Sequence, residues 1–337
     1  GLLTKDATPY NTQFVGTRPV FIDVGSFERS RSGEPWRGYR QFCQLFFNPL
    51  LLQATRELPF QPWLRGAIDG ITPEECRSLL GMRHRIGKGA FTHVVLHARA
   101  ERAHADSDRD VGAELKQAGF GPKLIDAQLR KLERTVAGLS WGRATSTWSD
   151  YTDRSHYSSA DLDAKTRFVR EVVAARPRRL VVDLGANDGF FSRLAAEHAE
   201  TVVAVDSDPL VIDRLYRALR DEGNEVILPL AMDLTDPSPA LGWRTRERRA
   251  FADRGTPDVV LALALVHHLA IAGTVPLTEI VASFEDLGGE VVVEFPTPDD
   301  PMVQRLLRHK RRGLFDHYRL DGFVAAAEER YEVARRE

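Results

Sequence analysis

Five short apolar runs punctuate the second half of the chain: LVVDLG at 180–185, TVVAVDSD at 201–208, EVILPLAMD at 225–233, DVVLALAL at 258–265 and GEVVVEF at 289–295. Each is separated from the next by a stretch long enough for a helix. A continuous apolar run of this length is a strand buried on both faces, and such strands belong to parallel sheets whose crossovers are helices. The pattern predicts an open α/β domain, with one helix starting near 188 and another over 209–221.

The first half has a different rhythm. VFIDV at 20–24 predicts a short strand. Over 37–57, Tyr39, Phe42, Cys43, Phe46, Leu50 and Ala54 recur at three- and four-residue intervals, which predicts a helix with Pro49 as a kink or boundary. The aromatic residues in and beside it either pack a core, or some of Trp36, Tyr39, Phe46 and Phe47 line a substrate pocket. TPEECRSLL at 72–80 carries a helix start, with Thr72 as cap, Pro73 at the first position and Glu75 three residues on. His93 and His97 share a helix face but lack the adjacent glutamate of a zinc-protease helix. A further helix is predicted over 122–138. The segment 141–165 is rich in Ser and Thr yet holds Trp141, Trp148, Tyr151 and Tyr157, which suggests a boundary that folds back over a ligand. The organisation expected is a largely helical acceptor-binding or lid region over 1–150 and a nucleoside-binding domain over 151–337.

Charge and cysteine usage narrow the partners. With 46 Lys and Arg against 48 Asp and Glu, the formal charge of -2 gives no net pull toward nucleic acid or anionic membrane. The cluster Arg308–His309–Lys310–Arg311–Arg312 reads as a solvated helix end, or as a grip on phosphate. Apolar stretches such as 259–266 are too short to span a bilayer. Cys43 and Cys76 have no metal-like spacing and sit in apolar-periodic segments, so two buried thiols and no metal are expected. The start has neither a targeting signal nor a methionine, and a cytoplasmic location is the expectation. A homodimer is left open.

In open α/β sheets, ligands bind beyond the carboxyl ends of the strands. Here those ends are polar. Gly185 and Gly189 in DLGANDG allow a sharp turn, but Asn187 and Phe190 break the G-x-G-x-x-G dinucleotide pattern. Asp206, 21 residues after Gly185, is placed to accept ribose hydroxyls. Met232 suits an adenine face, and Asp233 its exocyclic amine. Leu265-Val266-His267-His268-Leu269 lies where a reacting group would sit.

VVDLGANDGFFSRLA, VVAVDSDP, AMDLTDP and DVVLALALVHHL together resemble the successive motifs of the class I S-adenosylmethionine-dependent methyltransferases over about 165–337. PVFIDVGSFE, WRGYRQFCQLFFNPLLL and EFPTPDDPMVQRLL resemble a bacterial nodulation and specialised-metabolite group related to NoeA. The resemblance implies a Rossmann-like, mostly parallel sheet with S-adenosylmethionine as cofactor and S-adenosylhomocysteine as product. It implies that Asp183, Gly185 and Gly189 hold the methionine end, Asp206 the ribose, and Met232 with Asp233 the adenine, with Asn187, Ser207 and Leu265 as further cofactor contacts. The family sheet has seven strands. YEVAR at 331–335 is expected as the sixth, and a seventh is expected in a longer chain.

Methyl transfer is an in-line displacement that must place the acceptor and dispose of any proton. His267 is the expected base, with His268 orienting it, unless both only cap the strand end. Tyr157 is the expected lid over the cofactor. Trp148, Tyr151, Arg154, Glu294 and Asp299 are candidate acceptor contacts, while Asp300-Pro301 also makes a helix start. The expected activity is methylation of an N or O atom of a small molecule in specialised-metabolite or modified-sugar biosynthesis. A tRNA or protein methyltransferase and a non-catalytic S-adenosylmethionine-binding regulator are the alternatives.

Overall fold

A computed structural model describes residues 1–30, 36–87, 89–105, 122–142, 145–146 and 159–337. It divides into two units, Gly1–Gln13 with Pro19–Ala144, and Phe14–Arg18 with Thr145–Glu337.

The carboxyl-terminal unit is built on five parallel strands, β1 (Arg178–Leu184), β2 (Ala199–Asp206), β3 (Ile227–Ala231), β4 (Val259–Ala262) and β5 (Glu290–Val293), in the order β3-β2-β1-β4-β5. All five apolar runs form strands. Adjacent residues serve opposite faces: Val182 and Val260 join one buried cluster, while Val181 and Val259 join the other. Both faces are therefore covered, which explains runs without polar alternation. Helices α1 (Ser159–Ala174) and α2 (Phe190–Ala196) cover one face, and α3 (Leu277–Leu287) and α4 (Leu320–Glu328) the other. At the amino ends of the strands, the Asp258 carboxylate accepts from the Arg179 and Leu180 amides at 2.7 and 3.0 Å, tying β4 to β1. The helix over Pro209–Asp221 forms as the spacing requires, with Asp208 accepting from the Leu210 amide at its start.

The expected sixth strand does not form. Residues 331–335 make no ladder; the Arg335 guanidinium lies 4.5 Å from the Phe168 ring and pairs with Glu171 at 2.6 Å, while the Tyr331 amide closes a helix end on Ala327. Arg335, through its contacts with Phe168 and Glu171 on α1, anchors this segment where backbone pairing does not. Among the described residues, no helix is long and apolar enough to cross a membrane.

The amino-terminal unit packs Phe47, Leu51, Ile71, Leu80 and Val94 into its own core. Its first long helix runs from Tyr39 through Arg56, with a widened π turn over Cys43–Phe47 that ends two residues before Pro49. Proline has no amide to donate and its ring crowds the carbonyl four residues back, so local widening accommodates it without breaking the helix. The expected start at Thr72 is a full capping box: the Thr72 hydroxyl accepts from the Glu75 amide and the Glu75 carboxylate from the Thr72 amide. The predicted helix near 122–138 spans Pro122–Ala137. The strand expected at 20–24 is shifted, covering Arg18–Phe21 before a short turn over Val24–Ser26. Cys43 and Cys76 are free and buried.

Candidate functional site

In the order β3-β2-β1-β4-β5, chain direction across the sheet reverses between β1 and β4, where a crevice opens at the carboxyl ends. A cavity of about 420 Å³ lies there, lined by residues from the ends of β1, β2 and β4 and the segment after β3. Cavities of roughly 300–1,000 Å³ suit small molecules and cofactors.

The turn after β1 builds its floor. Gly185 and Gly189 adopt left-handed backbones, φ 81° and 79°, and Asn187 joins them at 48°. The two glycines have different reasons. A Cβ on Gly185 would meet only ordinary contacts, so its backbone angle selects glycine; a Cβ on Gly189 would come within 2.6 Å of the Leu215 side chain. Gly189 is thus a packing position for α2, away from the cavity wall, whereas Gly185, Asn187 and Asp183 line it. The amides of Gly185 and Ala186 both donate to the Val205 carbonyl, binding the turn to β2.

The acids differ in setting. Asp183 is buried, accepts from the Ser192 hydroxyl at 2.6 Å, and is pushed up to about 6 by desolvation, against the lowering effect of that bond and of Lys165. Asp206 ends β2 and takes the Asn187 amide at 3.0 Å and the Asp208 amide at 2.9 Å. Burial raises it, and those amides oppose the rise. Asp233 folds back on Thr235, accepting from its amide and hydroxyl at 2.8 and 2.7 Å. Ser207, Met232 and Leu265 complete the expected cofactor set on the wall.

The histidine pair separates. A π turn over His268–Ala272 follows β4, reached through Ala264 in a left-handed conformation at φ 52°. This turn puts His268 on the cavity wall and buries His267 behind it at 2% exposure, with the two rings 4.0 Å apart. Burial lowers His268 to about 4, so its ring is neutral at pH 7.

The remaining candidates lie elsewhere. Glu294 is off the wall, its carboxylate 2.6 Å from the Lys165 ammonium. Asp299 is exposed in the loop before the helix Pro301–Leu307, which Asp300 caps through the Met302 amide at 2.7 Å. Trp36 donates to the Thr4 carbonyl at 2.7 Å and Tyr39 bonds His93 Nδ1 at 2.7 Å, both within the amino-terminal unit's core. Trp148, Tyr151, Arg154 and Tyr157 lie outside the described residues. Sequence reading missed Leu162, Lys165, Phe191 and Thr235, all on the wall. The first two belong to a helix ahead of the recognisable motifs, and only their spacing to Phe168 on the same helix hinted at an inward side.

A parallel sheet in this order, with a glycine turn after its first strand and an acid ending its second, is the nucleoside-binding layout that class I S-adenosylmethionine-dependent methyltransferases share with dinucleotide-binding folds, and a relative matched along the whole chain places it among the former. The chain is 34% identical over 339 aligned positions, covering all of this chain and 71% of its relative, to nodulation protein NoeA of Rhizobium meliloti (strain 1021), and it belongs to that family. No protein-family model matches it. Among solved structures, the N-methyltransferase NodS of Bradyrhizobium japonicum WM9 is 14% identical, with 52% of this chain and 83% of that one covered at a TM-score of 0.35. The YcgJ protein of Bacillus subtilis is also 14% identical, covering 50% and 68% at a TM-score of 0.34. At such scores these two likenesses bear no weight for function.

Proposed function

We propose that this chain transfers a methyl group from S-adenosylmethionine to an N or O atom of a small, neutral or amine-bearing acceptor in specialised-metabolite biosynthesis. The observation that carries the reading is the gathering of Asp183, Asn187, Asp206, Ser207, Met232 and Asp233 on one cavity at the crevice of the sheet. The chemistry of this donor set fits the cofactor: carboxylates for the ribose and amines, a thioether for the adenine face, and a Cβ-free turn at Gly185. In this reading Asp206 accepts from the ribose hydroxyls, Asp183 faces the amino-acid end, and Met232, Asp233 and Leu265 enclose the base. When bound, the cofactor supplies an electrophilic methyl on a sulfonium. Four wall carboxylates, Asp183, Asp188, Asp206 and Asp233, favour an acceptor without phosphate groups.

His268, rather than His267, is assigned to the acceptor. Its neutral imidazole accepts a hydrogen bond from an acceptor O–H or N–H, orienting the lone pair toward the methyl carbon and taking up the proton as the bond forms. His267 fixes His268 from behind by ring packing. The amino-terminal unit, shared throughout by the NoeA relative, is assigned to acceptor recognition.

Calorimetric titration with S-adenosylmethionine, S-adenosylhomocysteine and NADH tests the cofactor. Binding confined to the two sulfur nucleosides is expected. Binding of NADH alone would overturn the reading.

A further inference from the structure

Lys165 is the one lysine or arginine on the cavity wall among the described residues, facing four carboxylates. It rises from α1, with its ammonium 4.9 Å from the Phe191 ring centroid and 2.6 Å from Glu294 Oε2. The two side chains are only 14% and 26% exposed, so neither charge is a solvated surface group. Glu294 is itself held rigidly. Its amide donates to the Ala262 carbonyl, the next ring, Phe295, stacks on Tyr318 and Phe323 at 4.7 and 5.0 Å, and the Tyr318 hydroxyl donates to the Pro296 carbonyl at 2.7 Å.

The glycine turn after β1 lines the same cavity. Backbone amides at such turns often receive anions. Here the Gly185 and Ala186 amides go to Val205, the Asn187 amide to Asp206, the Gly189 amide to Ala186 and the Phe190 amide to Asp188. Those five amides are committed to the fold. With them taken, Lys165 is the cationic side chain on the wall for an anionic group entering beside Asp183.

We infer that the Lys165 ammonium holds the α-carboxylate of the cofactor's amino-acid end, and that Glu294 is the positioning residue that holds Lys165 there. The inference rests on the S-adenosylmethionine reading above. An ammonium carries three donors, so it can hold Glu294 and a second carboxylate together. The arrangement sorts the charges of that end: the ammonium of the cofactor faces Asp183, its carboxylate faces Lys165. The site would then discriminate S-adenosylhomocysteine from nucleosides that lack the amino acid.

The test compares the full chain's calorimetric affinity for S-adenosylhomocysteine and for 5′-methylthioadenosine, which keeps the nucleoside and thioether but has no amino-acid end. Lys165→Met is expected to weaken S-adenosylhomocysteine about 10- to 100-fold, the range of a charge-assisted bond, while leaving methylthioadenosine within about 3-fold. Lys165→Arg should recover part of the loss. Glu294→Gln should weaken S-adenosylhomocysteine by less than Lys165→Met does, again sparing methylthioadenosine. Because Lys165→Met leaves Glu294 charged and half-buried, the double variant Lys165→Met/Glu294→Gln provides a neutral background in which the same selectivity loss is expected. Unchanged S-adenosylhomocysteine affinity, or equal loss of both ligands, would overturn the inference while leaving the cofactor reading intact. A parent protein that binds neither ligand would overturn both.

Discussion

Each unit contains a pair of histidines beside a π turn, and the two pairs have opposite fates. In the amino-terminal unit, His93 lies in the turn Phe91–Leu96 and is 4% exposed, with Tyr39 bonded to its Nδ1 and the Tyr39 ring 5.2 Å from that of His97. In the carboxyl-terminal unit, His268 starts the turn His268–Ala272 and opens on a cavity. Desolvation lowers both His93 and His268 to about 4. A depressed histidine and an unusual helix turn are therefore compatible with a sealed core as well as with a site. What distinguishes them is the neighbour: Tyr39 closes one, while the other shares its wall with four carboxylates.

Asp206 carries the largest expected effect in the carboxyl-terminal cavity. Asp206→Ala should weaken S-adenosylhomocysteine by about 100-fold or more, since it removes a carboxylate from the ribose position and leaves two amides without their acceptor. Equal affinity in variant and parent, by calorimetry, would overturn the assignment of Asp206 to the ribose.

Asp183 gives the next effect, and a pH dependence. Its folded value of about 6 lies above the ordinary aspartate value of 3.8, so the folded state binds this proton more tightly than the unfolded chain. Stability from this group is complete below pH 4 and is lost as pH rises through 6, by up to about 3 kcal/mol at about 1.4 kcal/mol per pH unit. Asp183→Asn should flatten the change in urea midpoint between pH 4.5 and pH 7.5. A variant that keeps the parent's slope would place the titration elsewhere.

His268→Ala should lower turnover about 10- to 100-fold with melting temperature and cofactor affinity close to the parent's. His267→Ala should instead lower the melting temperature more than His268→Ala, because its ring is packed. The reverse pattern would restore His267 as the reacting residue. The smallest of these effects belongs to the sealed pair. Tyr39→Phe should cost about 1–2 kcal/mol of stability by leaving His93 Nδ1 without the hydroxyl, and should leave cofactor affinity unchanged. A loss of affinity there would mean that the two pairs are functionally linked.

Much of the carboxyl-terminal unit is legible in its residues alone. The five strands are, because burial on both faces leaves a continuous apolar signature that an amphipathic helix of that length would not carry. Asp183 and Asp206 are, because a carboxylate closing such a run has nowhere to point except the crevice, and Met232 is, because it lies at the end of the third run, at the same edge. The choice between His267 and His268 is not. Their directions are set by a π turn and a left-handed Ala264, which leave no mark in residue type. Lys165 is hidden for another reason: on an amphipathic helix a lysine reads as solvent-facing, and its partner Glu294 is 129 positions away. YEVAR misleads because Tyr331 and Val333 alternate with charges as an edge strand would, while the contacts of Arg335 to α1 decide the path.

Ala264 has one further consequence. A left-handed alanine costs about 1–2 kcal/mol in strain, and glycine would relieve it. Glycine would also enlarge the freedom of the unfolded chain by about 0.4–1 kcal/mol. The strain is the larger of the two, so Ala264→Gly should stabilise the fold by about 1 kcal/mol. Stability alone favours glycine at this position, so the methyl group of Ala264 is kept for what it touches in the cavity it lines.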